Sequence, residues 1–163
     1  MTFNIGKIAQ VAFVVNDLEA KMSAFWTDFG IGPWSVYTFA PPRVKDMTYR
    51  GKRQEFSMRV AFAMCGETQI ELVQSISGPN VYEEFLGQCG EGVQHLGVHV
   101  TDMQAAASSM QQLGYELVQS GRGYGVQGDG EFRYFATADR IGTLIELIQL
   151  PRERYPPDRV YPA

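Results

Sequence analysis

Two short stretches decide the fold: TQIELVQ at 68–74 and TLIELIQ at 143–149, which differ at only two of seven positions. A near-copy in each half of a chain indicates an internal duplication. A second matching pair supports this, QVAFVVNDLEA at 10–20 and HLGVHVTDMQA at 95–105. In both, an alternating apolar strand leads through an aspartate into a helical pattern. The sequence therefore predicts two copies of one strand–helix unit.

The ends of the two helices can be placed from capping residues. Asp17 and Asp102 can each accept the free N–H groups of a first helical turn. This predicts helices over 18–29 and 103–113. A glycine follows each helix, as left-handed helix ends prefer: Gly30 and Gly114.

The remaining apolar runs complete two β-α-β-β-β modules. Further strands are predicted at 34–40, 54–64, 115–120 and 131–138. We place the modules at 7–75 and 92–150, with a linker near 76–92 that contains a short helical stretch, VYEEFLGQ. The proline-rich segment 151–163 is predicted to be an extended tail or packing arm. The predicted fold class is α+β, a single domain over 1–163 whose curved sheet forms a trough.

The composition narrows the class of protein. With 45% hydrophobic and 20% charged residues, the chain is typical of a soluble globular domain. A net charge of -4 argues against a nucleic-acid partner. There is neither an apolar run long enough to span a bilayer nor a signal-peptide pattern, so we expect a cytoplasmic protein. Cys65 and Cys89 lack metal-site spacing and are expected to be free thiols.

Four polar side chains interrupt the aliphatic strands in repeat-related pairs. Gln10 and His95 occupy equivalent places, as do Glu71 and Glu146. Each alone could be a solvent-facing group or a hydrogen-bonded core residue. A carboxylate within an aliphatic strand is costly unless it is paired or binds a cation, and here one recurs in both halves. We therefore expect the four side chains to converge on a divalent metal ion that keeps open positions for catalysis.

The pattern resembles the vicinal oxygen chelate superfamily, which includes glyoxalase I, methylmalonyl-CoA epimerase and extradiol dioxygenases. The resemblance rests on the paired repeat, on FGIGPW at 29–34 and on the two IEL strands. It implies a metal such as Co, Ni, Mn, Zn or Mg, a small-molecule carbonyl substrate and a homodimer. In some families of this kind, the site is completed across the dimer interface.

Within the superfamily the residues point in two directions. The Gln/Glu/His/Glu ligand set resembles that of eukaryotic-type glyoxalase I, whereas the epimerase usually has His, Gln, His and Glu. However, Val14 stands where glyoxalase I commonly has an arginine for glutathione. QEFSMRVAF resembles the epimerase region that supplies an additional glutamate, here Glu55. His99 could be a further ligand, a proton carrier or a residue lining the trough.

The resemblance and the chemistry together favour a metal-dependent epimerase, racemase or isomerase that removes a proton alpha to a carbonyl. Its substrate would be an acyl-CoA thioester or an aromatic ketone. We predict Glu146 as the first base, with Glu71 or Glu55 on the opposite face. The alternatives are a glyoxalase I-like lactoylglutathione lyase and a metal-free protein that binds antibiotics.

The substrate-binding residues are less defined. Aromatic residues cluster after the first helix and could stack on a substrate or belong to the core: Trp34, Tyr37, Phe39, Tyr49 and Phe56. Basic residues of the same region could bind coenzyme A phosphates or form a solvated loop: Arg43, Lys45, Arg50, Lys52 and Arg53. The glycine-rich run at 121–130 is expected to be a hairpin over the mouth of the trough.

Overall fold

The computed structural model describes residues 2–163, which form eleven strands and four helices. In chain order they are β1 (Gln10–Val14), α1 (Leu18–Phe29), β2 (Trp34–Phe39), β3 (Lys45–Tyr49), β4 (Lys52–Arg53), β5 (Ser57–Cys65), β6 (Thr68–Ser77), α2 (Val81–Cys89), β7 (Gly92–His99), α3 (Met103–Gln112), β8 (Leu117–Tyr124), β9 (Gly130–Phe135), α4 (Ala138–Ile141), β10 (Leu144–Gln149) and β11 (Arg159–Tyr161). None of these helices is both long and apolar enough to cross a membrane.

The strands form one open, curved sheet with the order β11-β2-β5-β6-β1-β7-β10-β9-β8-β3-β4. Its central eight strands are two four-stranded halves in mirrored order, β2-β5-β6-β1 and β7-β10-β9-β8. Each half with its helix is a β-α-β-β-β module, so the predicted fold class is confirmed. The halves meet where β1 and β7 pair antiparallel, with Ala12 opposite His95 and Gln10 opposite Gly97.

The two module helices cover the outer face of the sheet. Asp17 accepts a hydrogen bond from the backbone N–H of Ala20, and Asp102 accepts one from that of Ala105, so both predicted N-caps are confirmed. Helix α1 buries Leu18 and Met22 against the first half of the sheet. Buried residues of α3 pack on the second half in the same way: Met103, Ala106, Ala107 and Met110. Apolar burial on that side fixes which face of each strand points into the trough.

The linker helix α2 closes the inner side of the trough at one end. Asn80 caps it by accepting hydrogen bonds from the N–H groups of Tyr82 and Glu83. Val81 and Tyr82 are buried in a cluster that includes Val14 of β1. The trough is therefore filled at this end and open at the other.

Two segments differ from the expectations. Residues 45–53, expected as a basic loop, form strands β3 and β4, and β3 pairs with β8 at the edge of the second module. The tail adds β11 to β2 at the edge of the first module. Both segments lie at the ends of the strand order, where polar side chains face solvent without loss, so apolar alternation does not reveal them. The strand predicted at 131–138 ends at Phe135, and Ala138 begins the short helix α4.

Candidate metal centre and active site

Three predicted ligands meet at the floor of the trough. The imidazole Nε2 of His95 lies 3.1 Å from Oε2 of Glu71 and 3.2 Å from Oε2 of Glu146. His95 has no exposed surface, and each glutamate is 6% exposed. One potential ligand atom from each residue lies within 4.8 Å of the others. Three N/O donors at this spacing can surround one divalent ion.

The strand register explains why these side chains meet. Glu71 and His95 both stand opposite Ala12 of the intervening strand β1, and Glu146 stands opposite Gly97. Small residues between larger polar ones leave space at the centre of the sheet. At Gly97 this space is required, because an added Cβ would lie 2.5 Å from Oε1 and 2.8 Å from Cβ of Gln10.

Gln10 is the fourth predicted ligand. Its amide nitrogen is hydrogen-bonded, whereas its amide oxygen is not. Its Nε2 donates a hydrogen bond of 3.0 Å to Oε1 of Gln69. Its Oε1 is buried and has no hydrogen-bond partner among residues 2–163. A buried oxygen without a donor is costly, and a cation would remove that cost. The amide thus fits a metal site alongside the three-residue cluster.

The second ring nitrogen of His95 is also occupied in the way that a metal ligand needs. Nδ1 lies 2.7 Å from Oε1 of Gln94, and Gln94 Nε2 donates to the carbonyl of Val81 at 2.9 Å. An amide oxygen can only accept, so the Nδ1 proton is held there and the Nε2 lone pair can face a cation. The donor set and its orientation therefore fit a divalent ion held by Gln10, Glu71, His95 and Glu146. Their role as ligands stays a prediction.

Electrostatics within the cluster are strongly coupled. Burial raises the pKa of the Glu71 carboxyl, against the opposing hydrogen bond from His95. Burial by itself would lower the pKa of His95, but the carboxylates of Glu146 and Glu71 outweigh it and hold that pKa at about 9. Without a cation the cluster therefore keeps a proton at neutral pH. A divalent ion would have to displace it.

A cleft of about 820 Å³, including the solvent space at its mouth, opens above the cluster. Aromatic side chains form much of its wall: Tyr37, Phe39, Phe62, Tyr124 and Phe132. At the floor, the hydroxyls of Tyr82 and Tyr134 lie 2.8 Å apart, and the Tyr134 ring meets His95 edge-on at 4.9 Å between centroids. Burial raises the pKa of both tyrosines, so they stay protonated.

The structure does not bring Glu55 to this cleft. Its side chain is exposed and lines a separate shallow depression with Pro41, Asp46 and Arg53. Glu55 lies two residues before Ser57, which pairs with Ser77, whereas Glu71 pairs with Phe62 further along the same two strands. The resemblance of QEFSMRVAF to an epimerase region suggested this role for Glu55, but a local resemblance does not fix which end of the trough a residue occupies.

Other predicted residues divide between the cleft and elsewhere. Tyr37, Phe39 and His99 line the cleft, whereas Trp34 and Phe56 are core residues. The basic side chains are not gathered around it. Only Arg43 of the five lines the cleft, and three of them form ion pairs: Arg43 with Asp158, Arg50 with Glu84 and Arg53 with Asp46. Both cysteines are free and exposed, as expected.

Several cleft residues were not anticipated from the sequence. Tyr134 stands opposite Glu146 on β9, and the alternation of Phe132 and Tyr134 could have placed both on the inner face. Four residues come from the proline-rich segment after β10: Leu150, Pro151, Arg154 and Tyr155. No periodic pattern marks that segment, because it makes its contacts outside any strand or helix.

Solved structures of similar fold include several epimerases. Methylmalonyl-CoA epimerase from Mycobacterium tuberculosis matches with a TM-score of 0.62 and 23% identity, over 88% of this chain and 87% of that one. A variant of the Streptomyces coelicolor methylmalonyl-CoA epimerase, in complex with 2-nitronate-propionyl-CoA, gives 0.64 and 19% over 92% and 98%. A hypothetical protein, BH1468, from Bacillus halodurans C-125 gives 0.67 and 16% over 91% and 97%. At these identities the likeness shows a shared fold.

Sequence comparison adds the family. No curated protein matches the chain. The family model described as the glyoxalase, bleomycin resistance protein and dioxygenase superfamily matches residues 9–135, which include Gln10, Glu71 and His95. This confirms the resemblance to the vicinal oxygen chelate superfamily, and the chain belongs to the glyoxalase/bleomycin resistance protein/dioxygenase superfamily.

Proposed function

We propose that this protein is a metal-dependent isomerase of the epimerase or racemase type, which removes and returns a proton next to a carbonyl group. The observation that carries the proposal is the buried Glu71–His95–Glu146 cluster, with its free Gln10 oxygen nearby, at the floor of an aromatic cleft. Burying carboxylates lowers the stability of the fold. Such residues are therefore expected to have a function, and proton transfer beside a bound cation is one that needs buried carboxylates.

The ligands proposed for the cation are Gln10, Glu71, His95 and Glu146. When bound, a divalent ion would polarise the carbonyl and stabilise the negative charge that develops as the alpha proton leaves. The protein supplies the geometry for it. Gln94 holds the imidazole of His95 in one orientation, and Gln69 holds the amide of Gln10.

The proton itself would be carried by carboxylates of the cluster. Glu146 is the first choice as base, with Glu71, whose carboxylate also contacts Nε2 of His95, as its counterpart. To carry the proton between abstraction and return, a ligating carboxylate would leave the metal; in the metal-free cluster, burial raises the pKa of Glu71. Two bases that face opposite sides of one carbon give epimerisation. His99, whose pKa is lowered mainly by burial, lines the same cleft as a neutral group at pH 7.

The surroundings favour an aromatic or apolar carbonyl compound over a large polar one. Tyr37, Phe39, Phe62, Tyr124 and Phe132 offer ring faces and edges. Acyl-CoA thioesters remain the substrate class of the epimerases with this fold, one of which is described with methylmalonyl-CoA. Here, however, the basic residues that would hold its phosphates are mostly paired with acidic ones. The glyoxalase-type alternative loses support at Val14, which is buried in the core.

The proposal can be tested by metal analysis and hydrogen exchange. Protein purified without chelators should contain a divalent ion or be activated by Ni, Co, Mn, Zn or Mg. In heavy water it should then introduce deuterium alpha to the carbonyl of an aryl ketone or of methylmalonyl-CoA, followed by NMR. Glu146→Gln should abolish this exchange without unfolding the protein, whereas Glu116→Gln, an exposed carboxylate outside the cleft, should not. Absence of metal binding and of metal-stimulated exchange would refute the proposal.

A further inference from the structure

The segment between the last two strands, residues 150–158, forms one wall of the cleft, and we refer to it as the strap. It starts at the end of β10 in the second module and ends at β11, which pairs with β2 of the first. It thus passes from the second half of the sheet to the edge of the first half. Leu150, Pro151, Arg154 and Tyr155 of the strap line the cleft.

The strap is fixed at both ends. At its start, the N–H of Val126 donates to the carbonyl of Glu153 at 2.9 Å, and Gly125 packs so closely that an added Cβ would lie 2.3 Å from Cβ of Pro151. At its end, Asp158 accepts a hydrogen bond of 2.7 Å from the N–H of Thr38. The strap is therefore a built part of the cleft, and side chains on it have defined positions.

Arg154 differs from the neighbouring arginines in having no acidic partner. Arg152 on the strap pairs with Asp129 at 3.6 Å, and Arg43, which contacts the strap, pairs with Asp158 at 3.1 Å. Among residues 2–163, Arg154 forms neither an ion pair nor a side-chain hydrogen bond. Its guanidinium lies over the ring of Phe62, 5.4 Å from the centroid. Stacking on a ring leaves the N–H donors at the guanidinium edge free for a ligand.

The charges around the cleft suggest a role for the guanidinium of Arg154. Its floor carries the carboxylates of Glu71 and Glu146, which would repel an anionic ligand. Arg154 is close enough for its positive charge to lower the pKa of His99, after the larger effect of burial. It thus supplies positive charge on the wall formed by the strap, above an apolar body of aromatic side chains. A guanidinium is well suited to a carboxylate, which it can bind through two parallel hydrogen bonds.

We infer that Arg154 binds a carboxylate of the substrate, and that the substrate class is an apolar or aromatic carbonyl compound that also carries a carboxylate. The inference rests on the proposed function for the carbonyl, while the carboxylate contact is independent of catalysis. Arg154 is then a specificity residue contributed by the strap, outside residues 9–135 that match the superfamily.

The test compares charged and neutral probes that are otherwise alike. 3-Benzoylpropionate, 4-benzoylbutyrate and 5-benzoylpentanoate place a carboxylate at increasing distance from an aromatic ketone that carries alpha hydrogens, and their methyl esters lack the charge. Binding to the metal-loaded full-length protein is measured by calorimetry. For at least one acid, Arg154→Met should weaken binding by about tenfold, the loss expected for one charge-assisted hydrogen-bonded pair, with its ester unaffected.

Arg152→Met is the matched control, because Arg152 lies on the same strap but does not line the cleft. It should leave every affinity unchanged. Equal loss for acids and esters, no loss in Arg154→Met, or no saturable binding of any acid would overturn the inference. Deuterium exchange on the same probes separates the two proposals. If deuterium exchange occurs at a rate that does not depend on Arg154, only the isomerase proposal is supported. If binding of an acid depends on Arg154 but no exchange occurs, only the carboxylate site is supported.

Discussion

In the first module, Gln10 and Glu71 stand on β1 and β6; in the second, His95 and Glu146 stand at the equivalent places on β7 and β10. The register is the same in both, since Ala12 lies opposite Glu71 and Gly97 lies opposite Glu146. What differs is the residue on the first strand of each module and how it is held. Gln69 fixes the amide of Gln10 from the neighbouring strand, whereas Gln94 fixes the imidazole from the adjacent residue.

The comparison teaches that duplication positions a site and divergence decides its chemistry. The two glutamates are the conserved half of the repeat within this chain, and the Gln/His pair is the part that has diverged. An amide cannot titrate, while an imidazole can. The following changes test how far the symmetry extends, beginning with the largest expected effect.

The largest effect should come from replacing the two equivalent carboxylates in turn. Glu71→Gln and Glu146→Gln each remove a proposed base and a proposed charged ligand, and we expect the rate of alpha exchange to fall about 10²–10⁴-fold. If the carboxylates face opposite sides of the substrate carbon, each variant blocks exchange from a different enantiomer. Exchange measured separately on resolved enantiomers would show this. If one variant lost exchange from both enantiomers and the other variant lost neither, all proton transfer would be assigned to a single base.

Gly97→Ala and Ala12→Gly each make the two modules identical at the small residue between the proposed ligands. Gly97→Ala pushes a methyl group against Gln10 and Ile148, and should destabilise the protein by about 1–3 kcal/mol and weaken metal binding. Ala12→Gly leaves the ligands free and should cost about 0.5–1 kcal/mol with metal affinity retained. Urea unfolding and metal titration measure the two effects. A neutral Gly97→Ala would contradict the close packing of Gln10 over β7.

The orienting glutamines should matter by an intermediate amount. Gln94→Leu removes the acceptor for Nδ1 of His95 and should lower metal affinity by about 10–100-fold. Gln69→Leu introduces the residue found at the equivalent place in the second module, Leu144, and should have a smaller effect, because an amide that loses one partner can still rotate its oxygen toward a cation. Competition with a chelating dye measures both. An equal loss would mean that Gln10 contributes as much as His95.

The smallest effect should come from a change of one pH unit. In the metal-free protein His95 has a pKa of about 9, so it is protonated below that pH and must lose the proton when a metal binds. Affinity should therefore rise by about tenfold per pH unit below about pH 9 and level off above it. Gln10 adds nothing to this slope. Calorimetry in buffers of different ionisation enthalpy would count the released proton, and a pH-independent affinity would contradict the protonated cluster.

Sequence patterns predicted the central part of the molecule because each strand, helix and cap there occurs twice in the chain, so that one copy supports the assignment of the other. The helices from Leu18 and Met103, their aspartate caps and the three clustered ligands all follow from local periodicity combined with the internal match. The edges could not be predicted in this way. Pairing of β3 with β8 joins Thr48 to Ser120, residues far apart in the chain, and nothing local signals it. The same holds for Arg154, whose position depends on contacts of the strap with 125–129.

The position of β3, beside β8 near the end of the strand order, has a further consequence for how such a chain can evolve. It belongs by sequence to the first module but completes the sheet of the second, while β11 follows the second module and completes the sheet of the first. Each half therefore carries a strand that the other needs. The halves are no longer interchangeable cassettes, so recombination that replaces one module would leave a strand of the other without its pairing partner. In this protein the two duplicated modules therefore depend on each other for folding and are expected to evolve as one unit.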